Sequence, residues 1–257
     1  MNTNLKLVTS PETKCSECLV RRMALFKKVP LDKLDWTQDY RSSQSGIEAR
    51  HHLYQEGQTH PYVYTLYDGC LKLYKTLANG KVQAMRFASP GDFIGFQGDL
   101  TDKMHHGAIA ITDCIVCAFP REKVSRMLCE HPEIATELIT KNARLQAFCQ
   151  EHLLSTGARS AIESIAFTLV ELNHRLTTLK KFQDSTIFIE PDTLPITQED
   201  LADAVGITPI HVNRTLRQLR EQELIVCGKG QIRILDEPTL RELANFDPQL
   251  CQDADMF

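Results

Sequence analysis

The stretch from Ile196 to Leu235 constrains the fold more than any other part of the chain, because it combines two short helical patterns with a strand hairpin. Thr197 suits an N-cap and Asp200 follows three positions later, which is a capping-box-like signal. Gly206 ends this first helix, and Thr208 can cap a second. The order predicts a winged helix-turn-helix, a module that places its second helix in the major groove of DNA.

The second helix has one apolar and one polar face. Val212, Leu216 and Leu219 recur at i, i+4 and i+7, so we expect them to be buried. Arg214 lies on the opposite face near the helix N-terminus, where a guanidinium can bind O6 and N7 of one guanine. The other residues of this helix that we expect to contact DNA are Thr208, Ile210, His211, Asn213 and Arg217.

A hairpin follows, with strands on either side of a Gly-Lys-Gly turn in the range 226–234. Lys229 at its tip is a candidate for a phosphate contact. The alternative is an ordinary pair of helices joined by a glycine turn, as in many helical proteins. Turn chemistry, hairpin and basic face together favour DNA binding.

Composition limits what surrounds this module. The net charge of −4 excludes a uniformly basic protein, so positive charge for DNA must be local. Apolar runs fall short of the roughly 20 residues of a membrane helix, and no signal-peptide pattern begins the chain, so we expect a cytoplasmic protein. In that compartment the nine cysteines are expected to be free thiols or metal ligands.

Enzymatic function is not expected, because the sequence has no phosphate-binding glycine loop, zinc-protease helix or nucleophile elbow. The open alternative is a winged helix fused to an enzymatic domain of unrecognised type. DNA binding without turnover would separate these two classes.

The first half of the chain has the pattern of a small β-barrel or jelly roll. Short alternating strands occupy 53–57, 62–69, 71–75, 82–87, 108–112 and 114–119, and Asn79-Gly80 predicts a hairpin turn. Pro90 to Phe96 is expected to form a turn with a short helical segment. The fold class is therefore α+β, with an N-terminal double-stranded β-roll and C-terminal helices.

Helical periodicity returns at Arg121, with a long helix expected over about 132–155 and another over 159–176. The apolar side of the long helix suits a dimer interface as well as an internal core. That side is expected to comprise Ile134, Leu138, Leu145, Phe148, His152 and Leu153. The expected segments are an arm with the CxxC motif (1–26), a β-roll sensor (27–130), a dimerisation helix (131–157), a winged-helix domain (158–240) and an acidic tail (241–257).

The succession of β-roll, Pro-Gly-Asp-Phe-Ile-Gly-Phe turn, long helix and winged helix resembles the CRP/FNR superfamily of bacterial transcription regulators. The resemblance implies a homodimer on a near-palindromic operator, with RNA polymerase as a further partner. It also implies that a Glu, a Ser or Gly, and an Arg read each half-site. Those positions hold Ile210, Asn213 and Arg214, so only the arginine is kept and the usual consensus is expected to change.

The resemblance also suggests two kinds of effector. In cyclic-nucleotide-binding members a Glu and an Arg-Ser pair hold the ligand, and the matching positions here are Phe96 and Met104-His105. None of these residues can neutralise a phosphate as an arginine does, so cyclic AMP is not expected. A small molecule or haem bound in the roll remains an alternative.

FNR-like members hold a [4Fe–4S] cluster with three amino-terminal cysteines and one from the last strand of the roll. Cys15, Cys18 and Cys117 match three of these four metal ligands, while Ala24 or Phe26 stands where the remaining one belongs. Cys70 or Cys114 is a possible substitute, although Cys114 should face away from Cys117 on its strand. The alternative is that the strand cysteines are ordinary buried residues. We expect the arm to respond to redox state or oxygen through Cys15 and Cys18, with Cys117 as partner.

Overall fold

The β-roll is built from two four-stranded antiparallel sheets in the computed structural model, which describes residues 13–30, 35–98, 103–180, 189, 192–228 and 230–247. One sheet has the strand order β1-β8-β3-β6 and the other β2-β7-β4-β5. The strands are β1 (Ser43–Ile47), β2 (His52–Tyr54), β3 (Tyr62–Asp68), β4 (Leu71–Thr76), β5 (Val82–Ala88), β6 (Phe93–Ile94), β7 (Gly107–Ala110) and β8 (Cys114–Pro120).

The two sheets enclose one apolar core, because alternate residues of each strand point to its interior. Leu53, Leu66 and Leu71 are fully buried there, and Cys114 of β8 belongs to the same cluster. Cys117 lies on the other face of β8, in a second cluster with the amino-terminal arm. The expectation that these two cysteines face opposite sides is therefore confirmed.

The expected short helix after Pro90 is wrong for the described residues. Phe93 and Ile94 form β6, and Ile94 pairs with Tyr64 of β3. Gly91 and Gly95 on either side have φ of 91° and 84°, a conformation that no right-handed helix contains. The glycines therefore interrupt the segment, and its apolar residues alternate as in a strand.

Helices form most of the remainder. Ahead of the roll lie two short 3₁₀ turns, Cys15–Glu17 and Leu19–Arg22, and α1 (Asp35–Tyr40), which the sequence pattern did not reveal. After the roll the elements are α2 (Arg121–Glu130), α3 (Pro132–Gly157), α4 (Ala161–Lys180), α5 (Gln198–Val205), α6 (Pro209–Glu221), β9 (Ile225–Gly228), β10 (Gln231–Ile234) and α7 (Glu237–Ala244).

The long helix α3 does not bury a single stripe along its length. Ile134 and Leu138 are buried in a cluster with the arm, Leu145, Phe148 and His152 are half-buried, and Leu153 is 71% exposed, so a single chain covers only the first part of the expected apolar side. The helix also contacts α2, α4 and α5. Ile139 is also exposed, at 61%.

The last described helix, α7, runs across the boundary that we expected at residue 240. Leu240, Ala244 and Phe246 are buried in the same core as α4, α5 and α6. These residues therefore pack as part of the helical core around the helix-turn-helix. The rest of the expected tail, 248–257, lies outside the described residues.

Candidate DNA interface and sensor pocket

Caps at both helix starts fix the geometry of the helix-turn-helix. The Asp200 amide donates to Thr197 Oγ1 at 3.2 Å, and the Thr197 amide donates to Asp200 Oδ2 at 3.1 Å. Gly206 ends α5 with φ of 74°, and Thr208 Oγ1 accepts from the His211 amide at 3.3 Å. The predicted caps and turn are confirmed, and they set the direction in which α6 leaves the turn.

The buried face of α6 comprises Val212, Leu216 and Leu219, as its periodicity predicts. The opposite face is exposed, and Ile210 near its N-terminus has 83% of its surface accessible. This exposed face also contains Thr208, Asn213, Arg214 and Arg217, with His211 half-buried at its edge.

The polar residues of this face differ in their own contacts. Arg217 Nε lies 3.3 Å from Glu221 Oε1, and Asn213 Nδ2 donates to Gln198 Oε1 at 3.1 Å. Arg214 has no hydrogen-bond or ion-pair partner among the described residues. A guanidinium exposed in this way can bind a base edge without first breaking an internal contact. Gln198 of α5 accepts this hydrogen bond and so orients Asn213, but no sequence pattern identifies Gln198 as part of the site.

The wing forms as expected around the turn. Strands β9 and β10 pair from Gln231 with Gly228 to Ile234 with Ile225, and Leu194 pairs with Ile232 to add a third segment. Lys229 lies outside the described residues. Strand β9 begins at Ile225, soon after α6 ends at Glu221, so the paired strands belong to the same module.

The helix-turn-helix is fastened to the β-roll by Lys72 of β4. Lys72 Nζ donates to Asp200 Oδ1 at 2.7 Å and to Asp203 Oδ2 at 2.8 Å. Burial alone would raise the pKa of Asp200, but hydrogen bonds from Lys72 and Thr197 hold it below its usual value. A buried carboxylate therefore caps α5 and anchors that helix to the roll at the same time.

The three candidate metal ligands are brought to one place. Cys15, Cys18 and Cys117 line a cavity of about 30 Å³ between the arm and the outer face of the roll. Burial raises the pKa of Cys18 and raises that of Cys117 to about 12, so both thiols are protonated at neutral pH. Arg41 lines the same cavity, and its Nη1 donates to the Thr13 carbonyl at 2.7 Å.

These residues do not fit a [4Fe–4S] cluster. The cavity has room for about two water molecules, far less than the cluster core. Ala24 and Phe26 line it at the positions to which the resemblance assigns the remaining thiolate. Within the described residues, no three histidine, cysteine or acidic side chains are grouped so that they could hold a metal ion.

Neither cysteine that we considered as a substitute reaches this cavity. Cys70 and Cys114 lie together on the far side of β8, where Cys114 Sγ donates to the Cys70 carbonyl at 3.4 Å. Burial raises the pKa of Cys114 to about 12, and its thiol lies in the apolar core between the two sheets. The fold therefore contradicts the hypothesis that Cys70 or Cys114 replaces the missing fourth ligand.

The roll interior does not fit a cyclic nucleotide either. Met104, at a position that the resemblance assigns to phosphate binding, is 1% exposed, and its Sδ accepts from Arg121 Nη2 at 2.8 Å. Phe96 packs with the outer cluster, its ring 6.1 Å from that of Phe93. Two of the three matching positions therefore hold apolar side chains in place of the glutamate and the arginine that the resemblance implies.

Two family matches divide the chain as the structure does. Residues 46–131 match the cyclic nucleotide-binding domain, and residues 163–243 match the Crp-like helix-turn-helix domain. No helix of the described residues is long and apolar enough to cross a membrane.

Several known regulators are similar over most of the chain. The nitrogen fixation regulation protein FixK of Bradyrhizobium diazoefficiens is 28% identical over 90% of this chain and 93% of its own length. The probable transcriptional regulator flp of Lacticaseibacillus casei is 31% identical over 68% of this chain and 76% of its own. The structure of FixK2 from Bradyrhizobium japonicum superposes with a TM-score of 0.67 at 25% identity, covering 78% of this chain and 96% of that one.

The β-roll and the capped winged helix thus define a DNA-binding transcription regulator. The chain belongs to the CRP/FNR superfamily, and the similarity to FixK and to the transcriptional activator protein FnrL of Cereibacter sphaeroides places it near the FNR-like branch. The relatives are regulators of transcription and not enzymes.

Proposed function

We propose that this regulator binds a near-palindromic operator as a homodimer and reads each half-site with α6. The observation that carries the proposal is the exposed polar face of α6, on which Arg214 has no partner among the described residues. Arg214 binds a guanine, while Asn213, His211 and Thr208 contact neighbouring bases or phosphates. Ile210 stands where related proteins have a glutamate, so it favours an apolar contact such as a thymine methyl group.

The exposed side of α3 is the proposed dimer interface. Ile139 and Leu153 are 14 positions apart, which is two heptads, and both are largely exposed in the single chain. Pairing with the same helix of a second copy would cover both. The two copies of α6 then meet half-sites about one helical turn apart.

We propose that the protein responds to redox state through the cavity lined by Cys15, Cys18 and Cys117, without an iron–sulfur cluster. Cys15 and Cys117, which line the cavity together with Cys18, form a disulfide and give two electrons and two protons to a peroxide, which is reduced to water or to an alcohol and water. Ala24, Leu25 and Phe26 of the arm belong to one buried cluster with Ile134 and Leu138 of α3, so a change in the arm reaches the dimer helix.

Sedimentation and fluorescence anisotropy test the proposed DNA complex. We expect two chains per palindromic duplex and weaker binding to a single half-site. A monomer at every concentration, binding half-sites independently, would contradict it.

The redox proposal has a separate test, in which reduced and peroxide-treated protein are compared for DNA affinity. We expect Cys15→Ser and Cys117→Ser each to abolish the difference. Cys129→Ser is the matched control, because Cys129 is an exposed thiol of α2 away from the cavity. Equal affinity of reduced and oxidised protein would show that the arm is not the sensor.

Several relatives are named transcriptional activators, including AadR of Rhodopseudomonas palustris and FnrL. We propose activation for this chain too, with RNA polymerase as the partner of the DNA-bound dimer. Transcription in vitro from a promoter containing the operator would test it, and repression by the bound dimer would contradict it.

A further inference from the structure

Arg121, the first residue of α2, directs its side chain into the β-roll. It is 5% exposed, and its Nη2 donates to the Gly95 carbonyl and to Met104 Sδ. Nε and Nη1 are buried and have no hydrogen-bond partner among the described residues. A guanidinium stays protonated, so this side chain is a buried charge with unmatched donors.

The side chains around Arg121 do not neutralise it. Tyr54 Oη lies 2.8 Å from His106 Nε2, and Tyr64 Oη lies 2.7 Å from His60 Nε2. Burial lowers the pKa of His60 and of His106 to about 4 and raises the pKa of both tyrosines. All four side chains are therefore uncharged at neutral pH, and the site keeps one positive charge.

Two other largely buried arginines, Arg86 and Arg159, are each paired with a carboxylate. Arg86 Nη1 lies 2.9 Å from Asp92 Oδ2, and Arg159 Nη2 lies 2.6 Å from Glu151 Oε2. Arg121 has no such carboxylate in the described part of the chain. The missing partner is therefore expected to come from outside the chain.

We propose that the roll interior binds a compact monovalent oxyanion, inorganic or carboxylate, on Arg121. One uncompensated guanidinium balances one negative charge, and the free N–H groups require oxygen acceptors. When Nε2 of His60 and His106 carries the proton, each imidazole donates to its tyrosine, and the tyrosine hydroxyl donates to the anion.

The packing limits the size of this anion. A Cβ atom built on Gly95 would lie 3.5 Å from the Tyr62 carbonyl oxygen and 3.6 Å from both Arg121 Nη2 and Tyr54 Cε1. These are ordinary van der Waals distances, so an atom the size of a methyl carbon fits beside Arg121 Nη2 at this point, and the proposed anion is a small one. The inference goes beyond operator binding and does not depend on it.

Thermal unfolding without DNA tests the site. Formate, acetate and nitrate are each titrated at constant ionic strength, with sodium sulfate as the balancing salt. We expect at least one of the three to raise the Tm saturably in the wild type and in Arg126→Met. Arg126 is the matched control, because it lies on the same helix with its side chain 61% exposed. Response to nitrate alone identifies an inorganic ligand, and response to formate or acetate identifies a carboxylate.

Arg121→Met should lose this response, and in the absence of the anion its Tm should exceed that of the wild type, because an unpaired buried charge is removed. A saturable response that survives in Arg121→Met, or no response in the wild type, overturns the proposal. A second measurement needs no variant: the Nε–H resonances of the wild-type arginines are followed by NMR. Adding the anion should shift one slowly exchanging resonance, and unchanged resonances overturn the proposal.

Discussion

Arg214 is the residue on which sequence readout depends most in this account. We expect Arg214→Ala to reduce discrimination by about 1–3 kcal/mol at one guanine of each half-site, because a bidentate contact is lost. Lys229→Ala, at the wing tip that the sequence predicts, should weaken binding to all sequences about equally. Anisotropy with duplexes substituted one base pair at a time measures both. If Arg214→Ala kept the base preference of the wild type at every position, Arg214 would not be a residue that reads a base.

His60 and His106 make stability depend on acid pH. Burial lowers the pKa of each from 6.5 to about 4 in the folded protein, while the unfolded chain keeps the ordinary value. Between these values the unfolded state binds more protons, so the free energy of unfolding falls as pH drops from 6.5 to 4. Below pH 4 the folded protein also takes up these protons, and this contribution levels off.

Urea unfolding at several pH values measures this slope. His106→Gln should flatten it, whereas His51→Gln, at an exposed position, should leave it unchanged. An identical slope in His106→Gln would show that the acid sensitivity arises elsewhere.

Sequence patterns reveal residues whose role depends on neighbours close in the chain. They miss residues whose role depends on contacts with residues far away in the sequence. Arg214 was found because helical periodicity separates it from Val212 and Leu216. Arg41 and Arg121 gave no signal, since a buried arginine and an exposed one look the same in a sequence. Their roles arise from contacts with residues 17 to 76 positions away, such as Met104 for Arg121 and Cys117 for Arg41.

Among the helices and strands, α3 allows the clearest test of the proposed dimer interface. We expect Ile139→Glu and Leu153→Glu to shift the protein towards monomer, because a charge would be placed in an apolar interface. Leu77→Glu is the matched control, since Leu77 and Ile139 are equally exposed at 61%. Sedimentation velocity over a range of concentrations measures the shift. If all three variants dimerise as the wild type does, the interface lies elsewhere.

Elements with local end signals were predictable, and those decided by packing were not. The caps at Thr197 and Thr208 and the turn at Gly206 set α5 and α6, and the structure agrees with both helices. Segment β6 was mistaken for a helix because its strand character depends on pairing with β3. The first part of the apolar side of α3 is buried and Leu153 is exposed in the single chain, and periodicity alone does not tell an internal core from a dimer interface.

At the scale of the whole molecule, the ion pairs of Lys72 join the roll to the helix-turn-helix. We expect Lys72→Met to lower the free energy of unfolding by about 3–5 kcal/mol, because Asp200 would remain buried without its cation. Lys75→Met on the same strand should cost under about 1 kcal/mol, because its pair with Glu56 is 3.7 Å long and solvent-exposed. Equal losses in urea unfolding would show that the Lys72 contact does not anchor the two parts.

The central claim is that a dimer of this chain reads a symmetric DNA sequence with two copies of α6. Selection of bound duplexes from a random library, followed by sequencing, tests it most directly. We expect an inverted repeat whose half-site centres lie about one helical turn, 10–10.5 base pairs, apart. Each half-site should contain a guanine that is no longer enriched with Arg214→Ala. Recovery of no motif, or of a single unrepeated site, would contradict the account.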